Sequence, residues 1–70
     1  MIKVGNCYQD QTNPPWYDVC KIHAITEDGF VHGVWGVGAM YTSSLTITLE
    51  EANIKLASGD WLPWIDPLRN

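Results

Sequence analysis

Positive charge is scarce in this sequence. Four of its 70 residues are Lys or Arg (Lys3, Lys21, Lys55 and Arg69), and each stands alone. Binding to a phosphate backbone needs clustered cations that displace counterions. Duplex DNA or RNA is therefore a poor partner. Long apolar runs are missing too. The stretch of lowest polarity, Gly33 to Tyr41, is far too short to span a bilayer. No basic-then-apolar segment opens the sequence, so the chain is expected to be soluble and cytoplasmic, with no membrane partner. Two cysteines, Cys7 and Cys20, do not make a disulfide framework. Repeats, linkers and low-complexity tracts are absent from the pattern.

What remains is a short acidic globule. A chain of 70 residues holds one hydrophobic core at most, and at this size folding buries only about 60% of the unfolded surface. Deep clefts and two-lobed active sites do not fit. Residues 1–66 are expected to form a single domain, with 67–70 a frayed tail. Apolar residues make up 46% and charged residues 17%, a balance that collapses and does not stay disordered. Eight Asp and Glu leave a net charge of -4, which suits a partner protein with a basic patch.

Strand signals dominate. Lys3–Gln9 reads as a short strand interrupted by Gly5, and the loop 10–15 closes on Pro14 and Pro15, which cannot donate to a ladder. Residues 16–26 (WYDVCKIHAIT) form the clearest strand, with Cys20, Ile22 and Ala24 expected toward the core. Asp28-Gly29 signals a hairpin. Residues 30–37 return with Val31, Trp35 and Val37 on one face. Gly33, Gly36 and Gly38 there point to a bulge, a bend or a close backbone approach. Residues 41–48 (YTSSLTIT) alternate, with Tyr41, Ser43, Leu45 and Ile47 on the buried side. Thr48-x-x-Glu51 fits a capping box, opening a helix over 49–58 that Gly59 stops. Leu49, Ala52 and Leu56 share its apolar stripe. Pro63 makes residues 60–65 an edge strand. The expected fold is mainly β: a small SH3-like antiparallel barrel of about five strands, with one short helix (49–58) before the last. An open sheet with one packed helix is the alternative.

Catalytic constellations are hard to find. Cys20-x-x-His23 has half-site zinc spacing, but alternation puts the two side chains on opposite faces and the second pair is missing. Cys7 and Cys20 lack an elbow or helix start to present a nucleophile. The carboxylates sit in turns, loops and the first helical turn, where Glu50 and Glu51 suit the helix dipole. Gly33-x-x-Gly36-x-Gly38 does not run into a helix, so it aims no N-terminus at a phosphate. Pro14-Pro15-Trp16-Tyr17 matches a WW-domain ligand, yet it flows into a strand and not into an exposed polyproline segment. No enzyme, metal or cofactor is expected.

The tryptophans are the informative group. Four of the eight aromatics are Trp, and each ring buries ~150–250 Å². Such a small core cannot hold all of Trp16, Trp35, Trp61 and Trp64. Trp35 has the strongest core claim. The others either lid the ends of the barrel or anchor an interface, where Trp and Tyr are enriched. The candidate binding residues are Trp16, Tyr17, Trp61 and Trp64, with Asp10, Asp18 and Asp60 nearby.

The run of Trp16-Tyr17-x-Val19-x-Lys21-Ile22, then Glu27-Asp28-Gly29-Phe30-Val31, then a Ser/Thr-rich strand into Thr48-Leu49-Glu50-Glu51, resembles small SH3-like barrels encoded by phages and prophages. The resemblance implies a phage-type inhibitor, anti-defence or host-takeover factor. Such a protein would bind a host protein stoichiometrically in the bacterial cytoplasm, as a monomer or small homo-oligomer. A homo-oligomer that sequesters a nucleotide and an aromatic-platform nucleic-acid module are the competing readings, the latter weakened by the missing basic groove.

Overall fold

A computed structural model describes residues 1–12, 14, 18–36 and 43–65. Expectations that fall on Trp16, Tyr17, Val37, Gly38, Tyr41, Thr42 and 66–70 lie outside the described residues. The elements are β1 (Cys7–Asp10), β2 (Val19–Ile25), β3 (Phe30–Trp35), β4 (Ser43–Thr48), α1 (Leu49–Ser58) and β5 (Trp61–Trp64). All five strands form one antiparallel sheet in the order β4-β3-β2-β1-β5. The sheet is open: β4 and β5 are its two outer strands and do not pair with each other. The described residues thus show a five-stranded sheet with one helix, and not a closed barrel.

The first strand is shorter than the composition suggests. Val4 and Gly5 form a turn, and Asn6 N–H donates to the Lys3 carbonyl at 3.3 Å. That turn folds Ile2 under the core, where it is 4% exposed. The Tyr8 hydroxyl holds the segment in place by accepting from Lys3 N–H (3.2 Å) and donating to the Met1 carbonyl (3.5 Å).

Alternation along β2 holds only halfway. Cys20 and Ile22 are fully buried, as their spacing predicts. Beyond them the β2–β3 register slips by one residue between Ile22 and Ala24, so His23 is the extra residue of a β-bulge. A one-residue slip flips the faces. Ile25 therefore packs on the core in place of Ala24. Gly33 lies opposite Ile22 at this bulge, and a side chain there would collide with the Lys21 carbonyl. The close backbone approach is what requires glycine.

At the hairpin, Thr26 N–H donates to the Phe30 carbonyl (2.8 Å) and Gly29 N–H to the Thr26 carbonyl (3.1 Å). Gly29 takes φ 89°, so the connection is a three-residue loop closed by a left-handed glycine. Strand β4 alternates as read: Leu45 is buried and Ile47 half-buried, while Ser44, Thr46 and Thr48 are exposed. Helix α1 begins where Thr48 accepts from Glu51 N–H (3.1 Å) and ends at Gly59. Ala52 is buried, Leu49 and Leu56 pack on the core, and Ile54 faces outward.

The central ring is Trp61, not Trp35. Trp61 is 1% exposed. It stacks on Tyr8 (centroids 5.9 Å apart) and takes Trp35 edge-on (6.2 Å, 86°). Both arrangements suit the ring quadrupole. Trp35 is half-buried at the end of β3, opposite Ser43. Residue type alone did not show that β5 would bring Trp61 into the core against Tyr8 and Trp35. Strands β3 and β5 are separated by two others, about 14 Å across a flat sheet. Edge-on contact between their rings is a sign of a strongly curved sheet. Helix α1 touches β3, β4 and β5.

Candidate functional site

Hydrogen bonding brings three aspartates to one end of the sheet. Asp10 closes β1, and its N–H donates to the Asp18 carbonyl at 2.7 Å. One residue on, Gln11 N–H donates to the Asp60 carbonyl at 2.7 Å. Asp10, Asp18 and Asp60, the carboxylates singled out in the sequence, are thus neighbours through the backbone of three strands. They are not equivalent. Asp18 and Asp60 are exposed. Asp10 is half-buried and has structural work: it accepts from Thr12 N–H (2.8 Å), from the Thr12 hydroxyl and from Trp61 Nε1 (3.3 Å). Burial alone would raise its pKa. The hydrogen bonds from Thr12 and Trp61 and the charge of Lys55 outweigh that effect and hold it below the ordinary carboxylate value.

The aromatics divide. Trp61 is sealed in the core and reaches the acidic end only through its bond to Asp10. Trp64 is half-buried on the opposite face of β5, across from Cys7. Trp16 and Tyr17 are outside the described residues and directly precede Asp18.

Trp64 borders a groove of about 510 Å³, whose other walls include Lys3, Asn6, Tyr8, Leu56 and Pro63. The volume lies within the ~300–1,000 Å³ usual for ligand pockets. Met1 and Ile65 also line it and are 90% and 77% exposed. Sequence reasoning found Trp64 but missed Lys3, Leu56 and Ile65 as its companions. The apolar run Leu62-Pro63-Trp64-Ile65 in an edge strand was the available signal, since an edge leaves such residues uncovered. Along β1 the groove and the acidic end are separated by three residues, about 10 Å.

The thiols and imidazoles do not assemble a reactive centre. Cys20 is fully buried, and burial pushes its thiol up to about 12, which suppresses the nucleophilic thiolate. His23 is exposed on the bulge. His32 pairs with Ala24, and its Nδ1 lies 3.3 Å from the Thr46 hydroxyl on the neighbouring strand. Among the described residues no three His, Cys, Asp or Glu side chains converge as a metal site, and no helix is long and apolar enough to cross a membrane. No family model, curated protein or solved structure matches the chain.

Proposed function

We propose that this is a small non-enzymatic binding protein whose acidic end meets a basic patch on a protein partner. One observation carries the reading: the ladder gathers Asp10, Asp18 and Asp60 at one end of β1, with Asp18 and Asp60 left exposed. In a chain of net charge -4, that concentrates the attraction on one corner, where it steers encounter and fixes orientation. Leu62 on β5 supplies apolar area near it, with Trp64 about 10 Å from that end along the strand, and Trp16 and Tyr17 adjoin Asp18 in sequence.

The resemblance to phage-encoded barrels makes the partner a bacterial host protein and the role an inhibitor, anti-defence or host-takeover factor acting in the cytoplasm. An SH3-like barrel is the finer form of the fold in this proposal. Its support is the strand count, the helix before the last strand, the curvature implied by the Trp35–Trp61 contact and a helix that reaches both outer strands.

The test is a stoichiometric capture from bacterial lysate with the native chain, repeated with Asp18→Lys/Asp60→Lys. Both positions are exposed, so the fold is retained. The proposal expects a captured protein that is lost with the lysine pair and released by salt. Capture indifferent to the lysine pair would count against it.

A second reading has its own observation. Trp64 and Lys3 both line the groove, and an aromatic and a cation in one groove suit a planar anionic ligand such as a nucleotide. A thermal shift with nucleotides that disappears in Trp64→Ala would favour it. No shift with any nucleotide would remove it.

A further inference from the structure

The two outer strands of the sheet are finished differently, and the difference points to a partner. On the β5 side, the Gln11–Asp60 hydrogen bond sets the phase of the ladder. Antiparallel pairs alternate between bonded and non-bonded, so Leu62 and Trp64 bond to β1 while Trp61 and Pro63 turn their backbone outward. Pro63 has no N–H, so the free edge lacks a donor at its centre. On the β4 side, Leu49 N–H donates to the Gly29 carbonyl at 2.8 Å, in phase with the β3–β4 register. Ser43, Leu45 and Ile47 therefore bond to β3. Ser44 and Thr46 turn both N–H and C=O outward, and both residues are exposed.

Native edges are normally guarded by charge, proline, a bulge or a cover. Strand β4 reads Ser-Ser-Leu-Thr-Ile-Thr, with no charge and no proline, and its pairing with β3 is regular throughout. It is rich in residues that favour strands.

We propose that the β4 edge is the interface for a second copy of this chain, paired antiparallel about a two-fold axis at Leu45. In that register Ser44 of one copy lies opposite Thr46 of the other, twice. Each outward N–H and C=O finds its counterpart, and Ser and Thr hydroxyls meet across the strands. Charge selects the occupant. A foreign partner drawn to this acidic chain has nothing charged to grip on β4, while two neutral strands meet without the repulsion that a net charge of -4 brings elsewhere. Glu50 and Glu51 of the two copies stand more than about 20 Å apart along the strand direction, beyond the ~8–10 Å Debye length. Pro63 blocks the other edge, so the assembly closes at two copies and does not grow into a fibre.

The test is the solution mass of the chain across a concentration series by sedimentation equilibrium, with two variants. Ser44→Lys/Thr46→Lys places like charges directly opposite at both pairs, on exposed positions that leave the fold intact by circular dichroism. Thr46→Pro removes one outward donor and keeps the ladder bonds to β3, losing within the chain only the contact of the Thr46 hydroxyl with His32 Nδ1. The native chain is expected to reach twice its 7.9 kDa. Both variants should weaken association at least tenfold, and mixing the lysine pair with Ser44→Glu/Thr46→Glu should restore it. A native chain that stays monomeric to millimolar concentration overturns the proposal. So does a dimer unaffected by the lysine pair, or one dissolved instead by Trp64→Ala.

Discussion

The β5 and β4 edges are both outer strands of one sheet, yet they carry opposite loads. Strand β5 has four residues, and its first, Trp61, is the buried ring on which Tyr8 and Trp35 pack. It also carries the bond to Asp10, the groove residue Trp64 and a proline facing the open side. Strand β4 has six residues, gives the core Leu45 and part of Ile47, and presents Ser and Thr to solvent. The lesson is that edge position alone says little about a strand. What matters is which backbone groups face outward and whether a side chain on the strand fills the core.

The largest effect should come from the loaded edge. Trp61→Ala removes the central ring, a change that typically costs about 3–5 kcal/mol. Small domains have only about 5–15 kcal/mol in total, so urea unfolding should show a chain near its folding limit. An Ile47→Ala change on the open-edge side, half-buried, should cost distinctly less. Equal costs would erase the contrast.

Thr48→Ala tests the far end of β4, where the strand hands over to α1. Losing the cap that Glu51 N–H donates to should cost about 1 kcal/mol in chemical denaturation. The same change should leave the Trp61 environment, read by fluorescence, unaltered.

Asp10→Asn tests the acidic end through pH. The folded-state pKa of Asp10 lies below its ordinary value. Its ionised form thus adds stability above the unfolded pKa, and that contribution is lost as pH falls through the folded one. The variant should lose stability at neutral pH and show a shallower loss on acidification. A native chain whose stability does not fall on acidification would contradict the role given to Asp10.

The smallest change in stability, and the most informative for assembly, should be Pro63→Thr. It restores an N–H on the open side of β5 without removing a ladder bond. Sedimentation should then show species larger than the dimer, because the second edge is no longer blocked.

Much of this was legible in the residues. The Thr48 N-cap, the helix bounds, the alternation of β4 and the edge placement of the Pro63 strand all follow from local chemistry that the tertiary structure does not override, although the Glu51 side chain does not reach back to complete a capping box. The face of β2 beyond Ile22 was not legible. A bulge at His23 depends on how near Lys21 comes to Gly33, which is a relation between strands. Trp61 was hidden for the same reason. Its three-residue spacing from Trp64 shows that the two rings lie on opposite faces, but not which face is the core. The gathering of Asp10, Asp18 and Asp60 was half-visible, since each flanks a strand end, but only the ladder register makes them neighbours. The open five-stranded sheet of the described residues is a matter of long-range pairing, on which periodicity is silent.

Residue-resolved amide hydrogen exchange at low and high protein concentration tests the contrast between the edges most directly. The amides of Ser44 and Thr46 should exchange fast when dilute and gain protection as concentration rises, while the outward amide of Trp61 should be unaffected by concentration. Protection at Ser44 and Thr46 that does not change with concentration, or a concentration-dependent gain at Trp61 instead, would contradict it.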